Sequence, residues 1–349
     1  MARKNSTFIL AERPEGAIIP GKTFKLVEGD APTASELKDG QVLVETVYLS
    51  LDPAMRAWLY DFRSYVPPVQ IGERMRGGAI ARVLASKSPK AKEGDMVFSQ
   101  SGWTEVAIVD NDKFDVIDLP KGTKVTDALG AAGLTGLTAY FGLKHIGQPK
   151  AGETVVISGA AGATGSIAGQ IAKISGARVV GIAGSDEKCE ILTKELGFDV
   201  AINYKSPTFR EDLAKATPKF IDVYFDNVGG EILETALDRA AFRSRFIMCG
   251  SISGYNDRLG RSGTGIRNLH MVTVQRVRME GFIVIDYPDE IPAAKQQLGQ
   301  WIAEGKIKRK ETIIKGGLKV ADTAIGNLFN GGNTGKLLVE VKPYEASML

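Results

Sequence analysis

Cysteine and histidine are scarce: the chain carries two of each in 349 residues. They are Cys189, Cys249, His145 and His270. Two scattered cysteines make no disulfide framework, which points to a reducing compartment. A four-cysteine zinc site is excluded by the count, and no pair among these residues has zinc-ligand spacing. Each cysteine reads as a small buried hydrophobe. Long hydrophobic runs are missing too. Nothing approaches the roughly 20 apolar residues of a membrane-spanning helix. The apolar run in the N-terminal stretch MARKNSTFILAERPEG is too short for a secretory signal. The tail Ser347-Met348-Leu349 lacks the basic middle residue of a peroxisomal address, so the expected location is cytoplasmic. Charge of one sign is also missing. The net charge is +3, the two signs are interspersed, and neither nucleic acid nor a membrane surface is implied.

What is present is a globular composition, 44% apolar, at a length that suggests about two domains. The stretch from Thr154 to Lys173, TVVISGAAGATGSIAGQIAK, organises the rest. Thr154 to Ile157 is a short apolar run of the kind buried on both faces of a parallel sheet. Gly159, Gly162 and Gly165 follow, and then Ile167, Ile171 and Ile174 recur at helical spacing. Strand, glycine turn and helix together read as a dinucleotide site rather than an ordinary tight turn. The bare turn lets backbone approach a pyrophosphate, and the helix N-terminus offers unpaired N–H groups and a positive dipole end.

The first 130 or so residues read as mostly β, with strands at 41–51, 79–85, 95–99 and 104–109 divided by proline and glycine. That pattern predicts a compact barrel-like domain. Residues 127–146 read as a helix. Strand-like runs then alternate with helices: 154–157, 178–182, 200–204, 221–225, 245–249 and 280–285, with helices at 185–196 and 230–240. This rhythm predicts a doubly wound parallel sheet. A helix over 320–329 and a strand over 336–341 end the chain. That last strand needs a sheet to join, and the β domain is its natural host.

In an NAD site an acid ends the second strand and holds the ribose 2′-hydroxyl. Here that strand runs into Ala183-Gly184-Ser185, with Lys188 just beyond, and Tyr204-Lys205 ends the third. A missing carboxylate and a nearby cation favour NADP(H) over NAD(H), although Lys188 alone also suits a solvated helix.

Several motifs stand together in order: Leu51-Asp52-Pro53-Ala54-Met55-Arg56, Gly136-Leu137-Thr138-Ala139-Tyr140, Ala160-Ala161-Gly162-Ala163-Thr164-Gly165, Gly184-Ser185-Asp186-Glu187-Lys188, Asp226-Asn227-Val228-Gly229-Gly230, Gly281-Phe282-Ile283-Val284 and Gly332-Asn333-Thr334-Gly335-Lys336. With them the chain resembles the medium-chain dehydrogenase/reductases, and among these the zinc-independent alkenal/enone reductases of the prostaglandin reductase, plant double-bond reductase and curcumin reductase types. The resemblance implies an α/β fold: a GroES-like β-rich domain from residues 1–130 and 313–349, and a Rossmann domain from 131–312. Zinc-dependent relatives carry a cysteine near Leu51-Asp52-Pro53 and a Gly-His-Glu motif where this chain has Ile71-Gly72-Glu73-Arg74, so no metal is expected. The implied cofactor is NADPH. Ala163, Thr164, Gly165 and Ser166 would lie against its pyrophosphate, with Thr138, Gly162, Gly184 and Ser185 as further cofactor contacts. Lys188 and Tyr204 would hold the 2′-phosphate. Asn227, Cys249, Gly250, Ser251, Ile252, Ser253, Tyr255, Phe282, Ile283, Val284 and Asn333 would line the remaining cleft. The segment 257–265 departs from the family's proline-rich loop and leaves substrate preference open. A homodimer is implied as well.

Without a metal, a hydroxyl must stabilise the enolate that forms when hydride reaches the β-carbon of a conjugated C=C bond. Tyr255, just beyond the fifth strand of the Rossmann half, is the first candidate, and the nicotinamide ribose hydroxyl could share the task. Tyr65, in a proline-flanked loop, is the second. The expected substrate is a small enone or alkenal. A quinone oxidoreductase of the same superfamily and a non-catalytic NADPH-binding protein are the rival readings.

Overall fold

The computed structural model describes residues 3–257 and 265–344. The parallel sheet has six strands in the order Val200–Asn203, Arg178–Ala183, Thr154–Ile157, Ile221–Asp226, Ala240–Met248 and Arg278–Gly281. Every pairing in it is parallel. Its strands bury both faces by simple alternation. Val155, Ile157, Val179, Val223 and Phe225 pack on one side, with Leu137, Phe141, Ile167 and Ile171. Val156, Val180, Ile182, Tyr224 and Phe246 pack on the other, with Phe209, Leu213, Ile232 and Leu237. Strand order reverses between Thr154–Ile157 and Ile221–Asp226. A crevice opens there beyond the strand tips, where ligands bind in such sheets.

The second sheet contains seven strands. Glu311–Lys315, Lys336–Glu340, Val42–Leu51, Ala79–Ser86, Met96–Ser99 and Phe114–Val116 lie side by side, and Val106–Val109 pairs with Val42–Leu51. The terminal strand Lys336–Glu340 runs antiparallel to Val42–Leu51. The expected α/β architecture, a β-rich part beside a doubly wound parallel sheet, is what the chain forms.

Several expected elements differ in detail. Residues 127–146 are not one helix. A short turn at Val125–Ala128 precedes the helix Leu134–Phe141, which then widens into a π-type turn over Gly142–Gly147. Glycines at 130, 133 and 136 let the chain fold back on itself; a Cβ on Gly136 would press into the Ala131 carbonyl. The helix expected at 185–196 is Asp186–Glu190 followed by a π-type turn at Ile191–Glu195. The strand expected over 280–285 is Arg278–Gly281, because Phe282 and Val284 turn inward to pack against the core. The helix at 320–329 is two short pieces, Ala321–Ala324 and Asn327–Asn330. Ile174 is 38% exposed, since the glycine-turn helix Ala163–Ile174 ends at that residue. The hairpin Lys4–Leu10 with Phe24–Asp30 escaped the sequence reading. Most of its second strand is exposed and carries no inward-facing alternation to read.

Candidate functional site

The glycine turn lies at the crevice. Gly159 adopts φ +58°, a left-handed conformation that suits a residue without a side chain. The helix Ala163–Ile174 starts so close behind it that a Cβ on Gly165 would strike the Gly159 carbonyl. Gly162 caps this helix without any side-chain acceptor, and its first turn holds no acid. The N–H groups of Thr164 and Gly165 have no backbone partner among the described residues and remain for an anion, while the Ser166 N–H is taken by the Gly162 carbonyl at 3.0 Å. A distant segment closes one side: the Gly335 N–H donates to the Ala161 carbonyl at 2.7 Å. Asn333 braces that segment, its Nδ2 donating to the Gly335 carbonyl at 2.9 Å. Thr138 turns its hydroxyl back to the Leu134 carbonyl of its own helix at 2.7 Å.

At the next strand tip, Ser185 caps the following helix by accepting from the Lys188 N–H at 3.3 Å. Gly184 lies under the Tyr204 ring; a Cβ there would come within 3.1 Å of it. Asp186, the first acid after Ser185 in the chain, accepts from Asn203 Nδ2 at 2.9 Å. Lys188 is half-buried and its Nζ donates to the Gly331 carbonyl at 2.8 Å. Burial first, and the Lys205 ammonium second, hold Lys188 below the ordinary lysine range. Two ammonium groups and a phenol thus share a corner where the Glu187 carboxylate acts on Lys188 more weakly than Lys205 does, an environment suited to a phosphate.

The remaining candidates gather beyond Asp226 and Met248. Asn227 is fixed through its backbone N–H to Ser158 Oγ (2.8 Å) and its Nδ2 to the Ser158 carbonyl (2.7 Å). The loop after Met248 is stitched onto this corner. Cys249 and Gly250 N–H groups both donate to the Asp226 carbonyl at 3.0 Å, Ile252 to Asn227 at 3.2 Å, and Ser253 to Val228 at 3.1 Å. Gly250, Ser251, Phe282 and Ile283 line a cleft of about 490 Å³. Val284 is buried behind it. Burial pushes the Cys249 thiol up to about 12, with Asp226 adding to the rise, so it stays a thiol.

Tyr255 stands over this loop. Its oxygen accepts from the Ser251 N–H at 3.3 Å, and a Cβ on Gly250 would lie 3.0 Å from that oxygen. Burial holds its phenol above the ordinary tyrosine range. The Ser251 N–H opposes this, and Cys249, Tyr65 and Asp226 add to it. The phenol is therefore neutral at pH 7, and among the described residues its hydrogen has no acceptor. Tyr65 is 45% exposed and accepts from Trp58 Nε1 at 3.1 Å. Residues 258–264 of the departing loop and the tail 347–349 lie outside the described residues.

Three arrangements were not read from sequence. Asp226 is fully buried, and one of its oxygens accepts from Ser158, Tyr224, Val228 and Gly229 together. It thereby ties the first and fourth strand tips, and burial holds its pKa above the ordinary carboxylate range. Lys336 Nζ is buried against Asp52 at 2.7 Å and the Leu51 carbonyl at 2.9 Å. Arg56 is buried beside Tyr60 and Asn256. The motifs around residues 51–56 and 332–336 were the available signal, but their meeting was not visible in them.

Among the described residues, no cluster of His, Cys, Asp and Glu could hold a metal ion. No helix there is long and apolar enough to cross a membrane. Residues 6–117 match the family described as N-terminal domain of oxidoreductase, and 163–300 the family described as zinc-binding dehydrogenase. The chain is 43% identical to the NADPH-dependent curcumin reductase of Escherichia coli over 97% of each chain. It is 41% identical to bovine (Bos taurus) prostaglandin reductase 1, over 87% of this chain and 90% of that one. The crystal structure of CurA from Vibrio vulnificus in complex with NADPH superposes with a TM-score of 0.90 at 38% identity, covering 97% of this chain and 100% of the other.

Proposed function

The chain belongs to the zinc-independent medium-chain dehydrogenase/reductases of the enone reductase type, NADPH-dependent enzymes acting on C=C bonds, and from that premise we propose that it reduces the double bond of α,β-unsaturated ketones and aldehydes. When bound, NADPH supplies the hydride that the β-carbon accepts. The residues present suit that cofactor: bare backbone at the Ala163 helix start, no acid at the Ala183 tip, and Lys188, Tyr204 and Lys205 at the corner where a 2′-phosphate belongs.

The observation that carries the reading is the state of Tyr255. Its phenol is neutral, half-enclosed, and already accepts one hydrogen bond, from Ser251. Its own hydrogen is available to the substrate carbonyl oxygen as enolate charge develops there. A neutral donor placed beforehand in a poorly solvated site lowers that barrier without reorganising. The α-carbon finally takes a proton. Tyr65 is the second donor, held by Trp58 at the exposed side. Neither thiol takes part: burial holds Cys249 at about 12 and Cys189 at about 11.

The same reading divides the chain into 1–130 with 313–349 and 131–312, and places it in the cytoplasm as a homodimer. Arg278–Gly281 ends the parallel sheet with one edge open among the described residues, where a second copy would add its own strand. The test is a panel of enones, alkenals and quinones with NADPH, followed by loss of reduced-cofactor absorbance. Enones and alkenals should turn over fastest. Turnover confined to quinones would replace the reading by a quinone reductase, and tight NADPH binding with no turnover by a binding protein.

A further inference from the structure

Arg56 is fully buried although it carries a charge. Removing a guanidinium from water costs several kcal/mol, so its partners must account for it. Those partners are neutral. Nη2 donates to the Pro14 carbonyl (3.1 Å), the Gly16 carbonyl (2.6 Å) and the Tyr60 hydroxyl (2.8 Å), and Nε donates to Asn256 Oδ1 (3.3 Å). The guanidinium also lies 4.2 Å from the Tyr60 ring centroid. Nη1 is buried with no hydrogen-bond partner among the described residues. A residue kept for its own stabilising contribution would be better satisfied than this.

Tyr60 carries the contact onward. Its hydroxyl accepts from Arg56 and donates its one hydrogen to the Tyr255 carbonyl at 3.1 Å. A hydroxyl that accepts from a cation is polarised into a stronger donor. Arg56 and Tyr60 thus grip two consecutive residues of the distant loop, Tyr255 by its backbone and Asn256 by its side chain. The phenol end of Tyr255 is held separately, by the Ser251 N–H. Between the two grips lies only the single turn Ile252–Gly254. The donor is therefore held at its backbone from the antiparallel part of the molecule and at its hydroxyl from the parallel part.

We propose that Arg56 and Tyr60 are positioning residues that brace Tyr255 across the crevice and so set where its hydroxyl meets the substrate oxygen; this rests on the reading of Tyr255 as the hydroxyl donor. Misplacing a reacting group by about 1 Å can cost on the order of a hundredfold in rate. The loss of one of two grips should cost less.

The test is a double-mutant cycle on kcat with a substrate whose reduction shows an isotope effect with deuterated NADPH. Tyr60→Phe keeps ring and volume and removes only the hydroxyl. It should lower kcat about tenfold and leave the NADPH Kd within about twofold. In a Tyr255→Phe background the same change should have little further effect, because the group it positions is gone. Arg56→Lys, which keeps the charge and loses the fork, should slow turnover in the same cofactor-independent way. Thermal unfolding of each variant shows whether it is folded. If Tyr255→Phe is slow but Tyr60→Phe is harmless, or its loss multiplies with that of Tyr255→Phe, the brace is overturned and the donor stands. If Tyr255→Phe turns over like the parent, the donor reading fails and the brace fails with it.

Discussion

At one end of the crevice Lys188 and Lys205 hold positive charge half in water, with Tyr204 beside them and Asp186 bonded to Asn203. At the other end Tyr255 offers one neutral hydrogen in a half-enclosed pocket, its oxygen held by the Ser251 N–H. The two ends meet different kinds of charge. A 2′-phosphate is charged before, during and after the reaction. Fixed cations bind it equally in every state, which favours affinity and leaves the chemical step untouched. Enolate charge exists only near the transition state. A permanent cation there would be costly to bury, whereas a neutral donor waits at little cost and acts only when the charge appears.

That contrast is open to measurement. Lys188→Ala should weaken NADPH by roughly 1.5–3 kcal/mol, about 10- to 150-fold, leaving NADH affinity and saturated turnover unchanged. Equal Michaelis constants for the two cofactors in the parent enzyme would remove the charged end from the comparison. Tyr255→Phe should do the reverse: a loss of about tenfold, roughly 1.4 kcal/mol, shared by kcat and kcat/KM, with cofactor affinity preserved. An unchanged kcat, in a reaction limited by chemistry, would take Tyr255 off the neutral end.

pH should separate the ends next. Lys188 is held below the ordinary lysine range, and a bound phosphate would raise it again. The ammonium form binds, so NADPH affinity is full at neutral pH and falls as pH rises through the free-state value, by at most about tenfold per pH unit. NADH affinity should stay flat over the same range; a parallel fall would show that some other group titrates. Tyr65→Phe should cost about threefold in kcat, roughly 0.6 kcal/mol. A loss larger than that of Tyr255→Phe would exchange their roles. Dialysis against a strong chelator should change nothing, and a rate that returned only with added zinc would overturn the metal-free account.

The parts of the fold legible in the sequence are those whose cause is local. Thr154–Ile157 alternates between two buried faces, and Gly159 and Gly165 follow at the spacing a tight strand-to-helix turn requires. The missing acid after Ala183 was visible for the same reason: it concerns one position against one strand. Where several weak local signals compete, the reading failed. The glycines of 130–142 broke an expected helix, and the bare alternation at 280–285 hid the turn that sends Phe282 and Val284 inward.

By itself, then, the sequence determined the parallel sheet, the glycine turn, the scarcity of metal ligands and the candidate tyrosines, because backbone periodicity and residue chemistry act over a few neighbours. Only the tertiary structure decided which groups meet. Lys188 reaches the carbonyl of Gly331, Lys336 is buried on Asp52, and Arg56 and Tyr60 close on Asn256 and Tyr255. Each such contact joins segments far apart in the chain, and no local propensity encodes it. Its geometry exists only once two cores have packed and brought their strand ends to face one crevice.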